Sequence, residues 1–321
     1  MRTLLRNILL ACSLLSPALA QAQFPSKPMR IIVPFAPGGA TDVLARLFGG
    51  EMQKSFGQTA VVENKPGAGG NIGAEAGAKS APDGHTLTLV AHGFMSVNPH
   101  VYKSLGYDSV KDFAPVTQLV TAPLLLVTHP SLPVKTLREF LDHAKSNPGK
   151  VVIGNGGQGT AQHLAGELFS SMAGINVLHV PYKGSAPATT DLLGGQTHAM
   201  LDNMVTLIPH VKSGKLRALA VSTPQRVATF PEVPSMAEAG VPGYDAGTWY
   251  GVCAPAGTPA DVVAKLHAEM ARAMKTPEVA QKLADMGLIA VGSAPVEFAQ
   301  FIRAQREMAG RLVKQAGIPQ Q

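Results

Sequence analysis

Short apolar runs alternate along this chain with segments in which apolar residues recur every three or four positions. Residues 29–33 form the first apolar run, and the apolar residues of 43–52 then fall on one face of a helix. The alternation continues with predicted strands at 60–63 and 86–91 and a predicted helix at 71–79. Strands that alternate with helices are typical of a parallel sheet with helices on both faces. The pattern therefore predicts an α/β fold.

The pattern changes near Phe113. Two predicted strands, 115–120 and 124–127, follow one another without a helix, which indicates that the chain crosses into a second lobe. A polar segment, 92–99, precedes this crossing. The alternation then restarts, with predicted helices at 137–146, 160–172, 186–193 and 205–212 and predicted strands at 151–153, 177–180, 197–201 and 216–221.

The last hundred residues are predicted to return to the first lobe. A segment rich in Pro, Ser and Glu, with a short helix near Met236, leads to a strand at 248–254. Three helices at 259–274, 277–286 and 295–316 follow, each with a proline at or near its first position, where the missing N–H is tolerated. The predicted domains are a signal peptide (1–22), lobe 1 in two parts (23–123 and 223–321) and lobe 2 (124–222).

The first residues have the composition of a secretory signal peptide. Arg2 and Arg6 precede an interrupted apolar run, and an A-x-A site ends at Ala20. We expect cleavage after Ala20 or Ala22 and export of the mature protein to the periplasm. Of the two cysteines, Cys12 lies in this peptide, so the mature chain keeps only Cys253 and forms no intrachain disulfide.

Charge and composition exclude a nucleic-acid-binding protein. Without Arg2 and Arg6, the 27 basic residues fall to 25 against 21 acidic ones, and they are scattered along the chain. Nucleic-acid binding usually needs a basic stripe or aromatic platforms, and neither is present in the sequence. A mildly positive charge would suit a small anionic ligand, but an ordinary solvated surface explains it equally well.

The first strand is followed by a turn that can hold an anion. Pro34, Pro37, Gly38 and Gly39 form this turn, and a helix begins directly after it. The first turn of a helix has unpaired N–H groups and a partial positive charge. Glycines let a carboxylate or phosphate approach these groups, so no Arg or Lys is needed. We call residues 34–42 the first cradle.

The same order of strand, glycine-rich turn and helix start recurs in the predicted second lobe, and we call residues 154–163 the second cradle. Its turn, 154–159, matches G-x-G-x-x-G, but the following strand ends without the acidic residue that a dinucleotide site needs. Two cradles predict a carboxylate held between two lobes. His163 has two open interpretations: it donates to the ligand or it holds the loop.

Two acidic residues are further candidates. Asp42 either caps the first helix or accepts a hydrogen bond from the opposite loop. Asp202 lies at a predicted strand end, where ligands bind in open α/β sheets. It is expected either to receive a ligand amino group or hydroxyl, to fix a water, or to cap the next helix. The sequence has no G-x-S-x-G, H-E-x-x-H or metal-ligand spacing, so neither an enzyme nor a metal or cofactor site is predicted.

Eight segments together resemble the tripartite tricarboxylate transporter substrate-binding proteins, also called the Bordetella uptake gene family. They follow one another in order over essentially the whole mature chain, at 32–42, 62–70, 98–100, 180–184, 191–195, 202–203, 216–221 and 254–259. One departure is Gly154 to Gly156, where many relatives have Ser or Thr. With fewer side-chain hydroxyls, backbone N–H groups are expected to supply more of the hydrogen bonds to a ligand here.

The resemblance implies a periplasmic binding protein of the two-lobe type II, or Venus-flytrap, fold, each lobe a doubly wound sheet. Such a protein closes over a small carboxylate and hands it to integral-membrane transporter subunits, and we expect it to act as a monomer without a cofactor. Carried over residue by residue, the ligand-binding positions are Phe35, Ala36, Gly38, Gly39, Ala40 and Asp42 in lobe 1 and Gly159, Thr160, Ala161, His163, Tyr182 and Asp202 in lobe 2.

Two other functions remain open from the sequence. A periplasmic sensor that presents its bound ligand to a signalling receptor would have the same cleft. An exported hydrolase is disfavoured by the absence of nucleophile and metal motifs.

Overall fold

The computed structural model describes residues 24–315 and residue 320. The predicted signal peptide, its cleavage site after Ala20 or Ala22 and Cys12 therefore lie outside the described residues. The strands are β1 (Met29–Val33), β2 (Ala60–Asn64), β3 (Thr86–Ala91), β4 (Phe113–Thr128), β5 (Val152–Asn155), β6 (Leu178–Pro181), β7 (Ala199–Asn203), β8 (Arg217–Val221), β9 (Gly247–Pro255) and β10 (Ile289–Ala290).

Helices cover the strands along most of the described chain. They are α1 (Ala40–Phe56), α2 (Asn71–Ala78), α3 (Asn98–Val101), α4 (Leu137–Ser146), α5 (Ala161–Ala173), α6 (Ser185–Leu193), α7 (Met204–Lys212), α8 (Ala260–Met274), α9 (Pro277–Asp285) and α10 (Pro295–Gln315). A 3₁₀ turn (Ala68–Gly70) precedes α2, and a π turn (Gly93–Val97) precedes α3.

The strands form one curled mixed sheet with two halves. The first half contains β1, β2, β3, β9, β10 and residues 113–123 of β4, and the second contains β5 to β8 and residues 124–128 of β4. β1 pairs in parallel with β2 and β3, while β5 pairs in parallel with β6 and β7. Each half therefore has parallel strands joined by helices, and antiparallel partners where the chain passes between halves.

β4 connects the two halves. The prediction of two separate strands here is wrong, because 16 residues run as one strand through Pro123. Pro123 pairs with Gly247 of β9, and the next residue, Leu124, pairs with Asn203 of β7. Residues 121–123, which separate the two predicted strands, mark a change of sheet partners rather than a turn.

Two predicted segments differ from the structure. Residues 92–98 are helical and buried rather than merely polar, because Phe94 and Met95 of the π turn pack into the core of the first half. The predicted helix near Met236 is wrong. Met236 is fully buried in a segment of turns: Ser235 forms an isolated bridge with Val221 of β8, and the Ala239 N–H then bonds to the Ser235 carbonyl in a turn that does not continue as a helix.

Each half has its own apolar core. In the first half α8, α9 and α10 pack against the sheet through residues such as Leu266, Leu283 and Phe298. In the second half the core contains Phe140, Phe169 and Tyr244. Cys253 lies fully buried in β9, where burial raises the pKa of its thiol, so it packs as a small apolar side chain. Among the described residues, no helix has the length and apolarity needed to cross a membrane.

Candidate functional site

A cavity of about 30 Å³ lies between the two halves of the sheet. Its wall contains the first residues of three helices and the residue just before a fourth, namely Ala40 and Thr41 of α1, Ala161 and Gln162 of α5, Ser185 of α6, and Asn203 before α7. Helix starts carry unpaired N–H groups and a partial positive charge. The wall therefore favours an anion, although it contains no Lys or Arg side chain.

The first cradle leaves the start of α1 uncapped. Gly39 is the N-cap residue in an extended conformation, and no side chain accepts a hydrogen bond from the first turn. The turn before it is braced by Asp42, which accepts from the N–H of Gly38 at 3.0 Å. Asn64 Nδ2 donates to Asp42 Oδ1 at 3.1 Å and to the carbonyl of Phe35 at 3.0 Å. Asp42 thus fixes its own loop and neither caps α1 nor reaches the opposite loop.

Asp42 is charged and paired within the first half. Arg46 donates to it through Nε and a terminal nitrogen, both at 3.0 Å. Burial alone would raise the pKa of Asp42, but the hydrogen bonds from Arg46, Gly38 and Asn64 outweigh burial and hold that pKa below 3.8. The carboxylate is therefore ionised at neutral pH and its charge is neutralised by Arg46.

The second cradle is braced by a hydroxyl, an amide and an imidazole. Thr160 is the N-cap of α5: its hydroxyl accepts from the N–H of His163 at 3.2 Å and donates to the carbonyl of Gly157 at 2.7 Å. Asn155 Oδ1 accepts from the N–H of Gly157 at 3.0 Å. His163 Nδ1 accepts from the N–H of Gly159 at 3.4 Å, so His163 holds the loop.

A third helix start completes the wall, and the sequence interpretation missed it. Gly184 precedes α6 with φ of 132°, a conformation that favours glycine, and no side chain caps the helix. Gly184 and Ser185 both line the cavity. The signal was present in the sequence, because Gly184 stands between a predicted strand and a predicted helix in the same way as the glycines of the two cradles.

Behind this wall Asp202 is fully buried. Ser185 Oγ lies 2.8 Å from each of its oxygens, and Gln162 Nε2 donates at 3.2 Å. The backbone and side-chain N–H groups of Asn203 donate at 2.6 and 2.7 Å. Burial raises the pKa of Asp202 to about 6, and these hydrogen bonds only partly oppose the rise. Asp202 therefore orients three wall residues without lining the cavity itself.

The two halves touch around the cavity. The N–H of Ala36 donates to the carbonyl of Lys183 at 3.3 Å, and Tyr102 OH donates to the carbonyl of Gln158 at 3.4 Å. A Cβ atom at Gly93 would lie 2.9 Å from the Cα atom of Thr160. The cavity has room for only a few water molecules. A larger ligand can therefore enter only if the halves separate.

The twelve predicted site residues fall into three groups. Five line the cavity: Phe35, Gly39, Ala40, Thr160 and Ala161. Six others brace or adjoin this wall without appearing in it: Ala36, Gly38, Asp42, Gly159, His163 and Asp202. Tyr182 lies in a neighbouring cavity of about 160 Å³ and donates to Asp191 at 2.7 Å. The missed wall residues are Thr41, Ala91, Gly93, Gly156, Gln162, Gly184, Ser185, Asn203, Thr248 and Tyr250.

A larger cavity of about 500 Å³ lies on the other side of Ala161 and Thr248, between α5 and α10. Its wall is mostly apolar, and its ionisable residues are His92 and Asp245. Burial lowers the pKa of His92 to about 4, so that imidazole is neutral at pH 7. The side chains of this cavity therefore offer an anion no positive charge. The smaller cavity is therefore the candidate site for a carboxylate. Within the described part of the chain, no group of His, Cys, Asp and Glu side chains is placed to hold a metal ion.

Comparison with known proteins gives consistent matches over nearly the whole chain. The sequence profile described as "Tripartite tricarboxylate transporter family receptor" matches residues 44–318. Protein BugT of Bordetella pertussis is 38% identical, over 92% of this chain and 90% of BugT.

Solved structures agree with this match. "R. palustris Rpa4515 with adipate" superposes with a TM-score of 0.91 at 36% identity, over 93% of this chain and 100% of that one. "MatC (Rpa3494) from Rhodopseudomonas palustris with bound malate" gives a TM-score of 0.86 at 35% identity, over 90% and 100%. The fold is thus the α/β periplasmic-binding-protein fold, as predicted.

Proposed function

The chain belongs to the tripartite tricarboxylate transporter receptor family, which confirms the resemblance seen in the sequence, and we propose that it captures a small carboxylate between two lobes for delivery to a membrane transporter. Members of this family are periplasmic solute-binding proteins. The observation that carries the proposal is the cavity wall built from uncapped helix starts on both halves.

The wall can supply enough binding energy for a carboxylate. A hydrogen bond to a charged group contributes about 1.5–3 kcal/mol. A micromolar complex needs about 8 kcal/mol in total. A few N–H donors at the starts of α1 and α6, with apolar contact from Phe35, therefore suffice without a cationic side chain. The adipate and malate in the two R. palustris structures are small carboxylates, which supports this ligand class.

Capture would proceed by closure of the lobes. We assign residues 23–123 and 223–321 to lobe 1 and residues 124–222 to lobe 2. A ligand that contacts both lobes favours the closed arrangement, because its affinity for that arrangement is higher. The closed protein then presents its ligand to the integral-membrane subunits. In this proposal the protein is exported by residues 1–22, acts as a monomer, needs no cofactor and turns over no substrate.

A thermal-shift screen of the mature protein tests this function. The panel contains mono-, di- and tricarboxylates, amino acids and aromatic acids. A ligand at one hundred times its Kd raises the free energy of unfolding by about 2.7 kcal/mol. We expect a clear rise in Tm for at least one carboxylate class.

A matched pair of variants locates the site. Gly39 lines the cavity, and a side chain there meets nothing closer than the Ala36 carbonyl at 3.8 Å, so the fold accommodates it. Gly50 lies on the exposed face of α1 with nothing within 4 Å. The Gly39→Val variant should lose the ligand shift, and the Gly50→Val variant should keep it. Equal shifts in both variants would reject the site. No shift with any acid, in protein shown to be free of bound ligand, would reject carboxylate capture.

A further inference from the structure

The wall of the candidate cavity differs chemically from one side to the other. On the α1 side it presents the N–H groups of an uncapped helix start, at Ala40 and Thr41. These groups donate, and they suit a carboxylate. On the other side stand Ser185, Gln162 and Asn203, whose side chains all donate to the buried Asp202. What these three residues still offer to a ligand depends on which of their hydrogens and lone pairs remain.

Ser185 has no hydrogen left for a ligand. A serine hydroxyl carries one proton and two acceptor lone pairs. Ser185 Oγ lies 2.8 Å from both oxygens of Asp202, so its proton is committed to that carboxylate. The hydroxyl can therefore only accept from the cavity side. Asn203 is engaged in part: one Nδ2 hydrogen donates to Asp202 and its Oδ1 accepts from Tyr250 OH at 2.7 Å, which leaves the second Nδ2 hydrogen.

Space is available beside this hydroxyl. Gly156 also lines the cavity, and a Cβ atom there would lie 3.3 Å from Ser185 Oγ and 3.5 Å from Ser185 N. Its backbone is not in the left-handed region, so glycine is not required there by backbone conformation. The missing side chain leaves the oxygen open to a ligand atom.

The charge behind Ser185 makes it a strong acceptor. All four groups that donate to Asp202 are neutral, on Ser185, Gln162 and Asn203. The described ion pairs do not include Asp202, whereas Asp42 across the cavity is paired with Arg46. Polarised by an unneutralised carboxylate, the Ser185 oxygen favours a donor, and most of all a positively charged one.

We propose that Ser185, held by Asp202 as a positioning residue, selects carboxylates that carry a hydroxyl or an ammonium group on the carbon next to the carboxylate. The inference rests on the proposed function, since it assumes that the carboxylate is held at the start of α1. We place the donor on the adjacent carbon because Ala40, Thr41 and Ser185 line one small cavity of about 30 Å³. The ligand class is thus α-hydroxy and α-amino acids.

Calorimetry with matched acids tests the inference. Three sets differ only at the α-carbon: propionate, lactate and alanine; succinate, malate and aspartate; 3-phenylpropionate, 3-phenyllactate and phenylalanine. In the set that fits the rest of the cleft, we expect the α-substituted acids to bind the native protein at least tenfold more tightly than the plain acid. The quantity measured is this affinity ratio, which general destabilisation does not change.

Variants assign the selectivity to Ser185 and Asp202. Ser185→Ala and Asp202→Asn should bring the ratio close to one, and Ser185→Thr should retain it because a hydroxyl remains. Gly156→Ala should lower the affinity for α-substituted acids and leave that for plain acids nearly unchanged. Ser170→Ala is the control, because Ser170 is as buried as Ser185 but bonds to Gly166 and His179 away from the cavity.

Three outcomes overturn the inference. Plain acids that bind as tightly as their α-substituted partners would reject it and leave carboxylate capture intact. A ratio that survives in Ser185→Ala would assign the selectivity to another residue. Failure of every acid to bind a folded, ligand-free protein would reject both the inference and the proposed function.

Discussion

Asp42 and Asp202 lie behind opposite walls of one cavity, and their surroundings shift their pKa values in opposite directions. Asp42 receives two hydrogen bonds from Arg46 and its pKa is lowered. Asp202 receives hydrogen bonds from neutral groups and its pKa is raised to about 6. The same residue type thus braces both sides, but the first wall is electrically balanced and the second keeps an unpaired charge.

This difference separates the roles of the two halves. The Asp42 and Arg46 charges cancel, so the start of α1 retains its positive potential for an anion. In the second half Thr160 caps α5 and Asp202 engages the residues at the starts of α6 and α7. The first half is therefore suited to hold a carboxylate, and the second half is suited to accept a hydrogen bond from a group attached beside that carboxylate.

The largest expected effect is the pH dependence of stability contributed by Asp202. Its folded pKa of about 6 lies above its unfolded value of 3.8, so the native state binds the proton more tightly. Stability therefore falls as pH rises from about 4 to about 6, by about 3 kcal/mol for this group. Urea denaturation from pH 4 to pH 7.5 should show that Asp202→Asn lacks this fall. The same pH profile in both proteins would show that burial does not raise the pKa of Asp202.

Asp42 should behave in the opposite way. Its lowered pKa means that its contribution is present above about pH 4 and is lost as pH falls through the folded pKa. Asp42→Ala removes the acceptor for Gly38 and Asn64 and the partner of Arg46, so we expect a loss of about 2 kcal/mol at pH 7. Urea denaturation measures it. Glu63→Ala is the control, because the ion pairs of Glu63 are more exposed and should contribute under 1 kcal/mol. A loss no larger than that of the control would contradict the bracing role.

A third prediction concerns the contact between the halves. The atoms nearest to a Cβ at Gly93 belong to the second cradle, with Thr160 Cα at 2.9 Å and the Gly159 carbonyl at 3.0 Å. Gly93→Ala should therefore oppose closure and lower ligand affinity about tenfold, since overpacking typically costs 1–3 kcal/mol. Calorimetry measures the affinity, and Gly50→Ala serves as the control. Unchanged affinity in Gly93→Ala would mean that the halves need not approach this closely to bind.

Local patterns predicted most of the fold. The helices and strands around both cradles were predicted within one or two residues, because apolar periodicity reflects burial on one face. The single strand β4 was not predicted, since its continuity through Pro123 depends on which strands pair with it. The buried segment after β3 was also missed, because its mixture of apolar and polar residues shows no helical period over so short a stretch.

The candidate site was predicted only in part for a related reason. A glycine turn between strand and helix is a local signal, and it identified both cradles. The Asp202 cluster is not local, because Ser185 and Gln162 are 17 and 40 residues away from it in sequence. The part of the site that holds an anion can thus be found from the sequence, whereas the residues that we propose to select the ligand emerge only from the fold.

The smallest expected effects come from removing the cap of α5 and from adding a cap to α1. Thr160→Ala removes the cap of α5 and should cost about 1 kcal/mol of stability, as should Thr136→Ala at the cap of α4, away from the cavity. Gly39→Ser should give α1 a cap and add a few tenths of a kcal/mol. Gly39→Ser should weaken ligand binding while it stabilises the free protein, because the new cap competes with the ligand for the same N–H groups. Thr136→Ala should leave ligand binding unchanged. Thermal unfolding and calorimetry on the three variants measure both quantities. Tighter binding in Gly39→Ser would show that the start of α1 is not where the carboxylate is held.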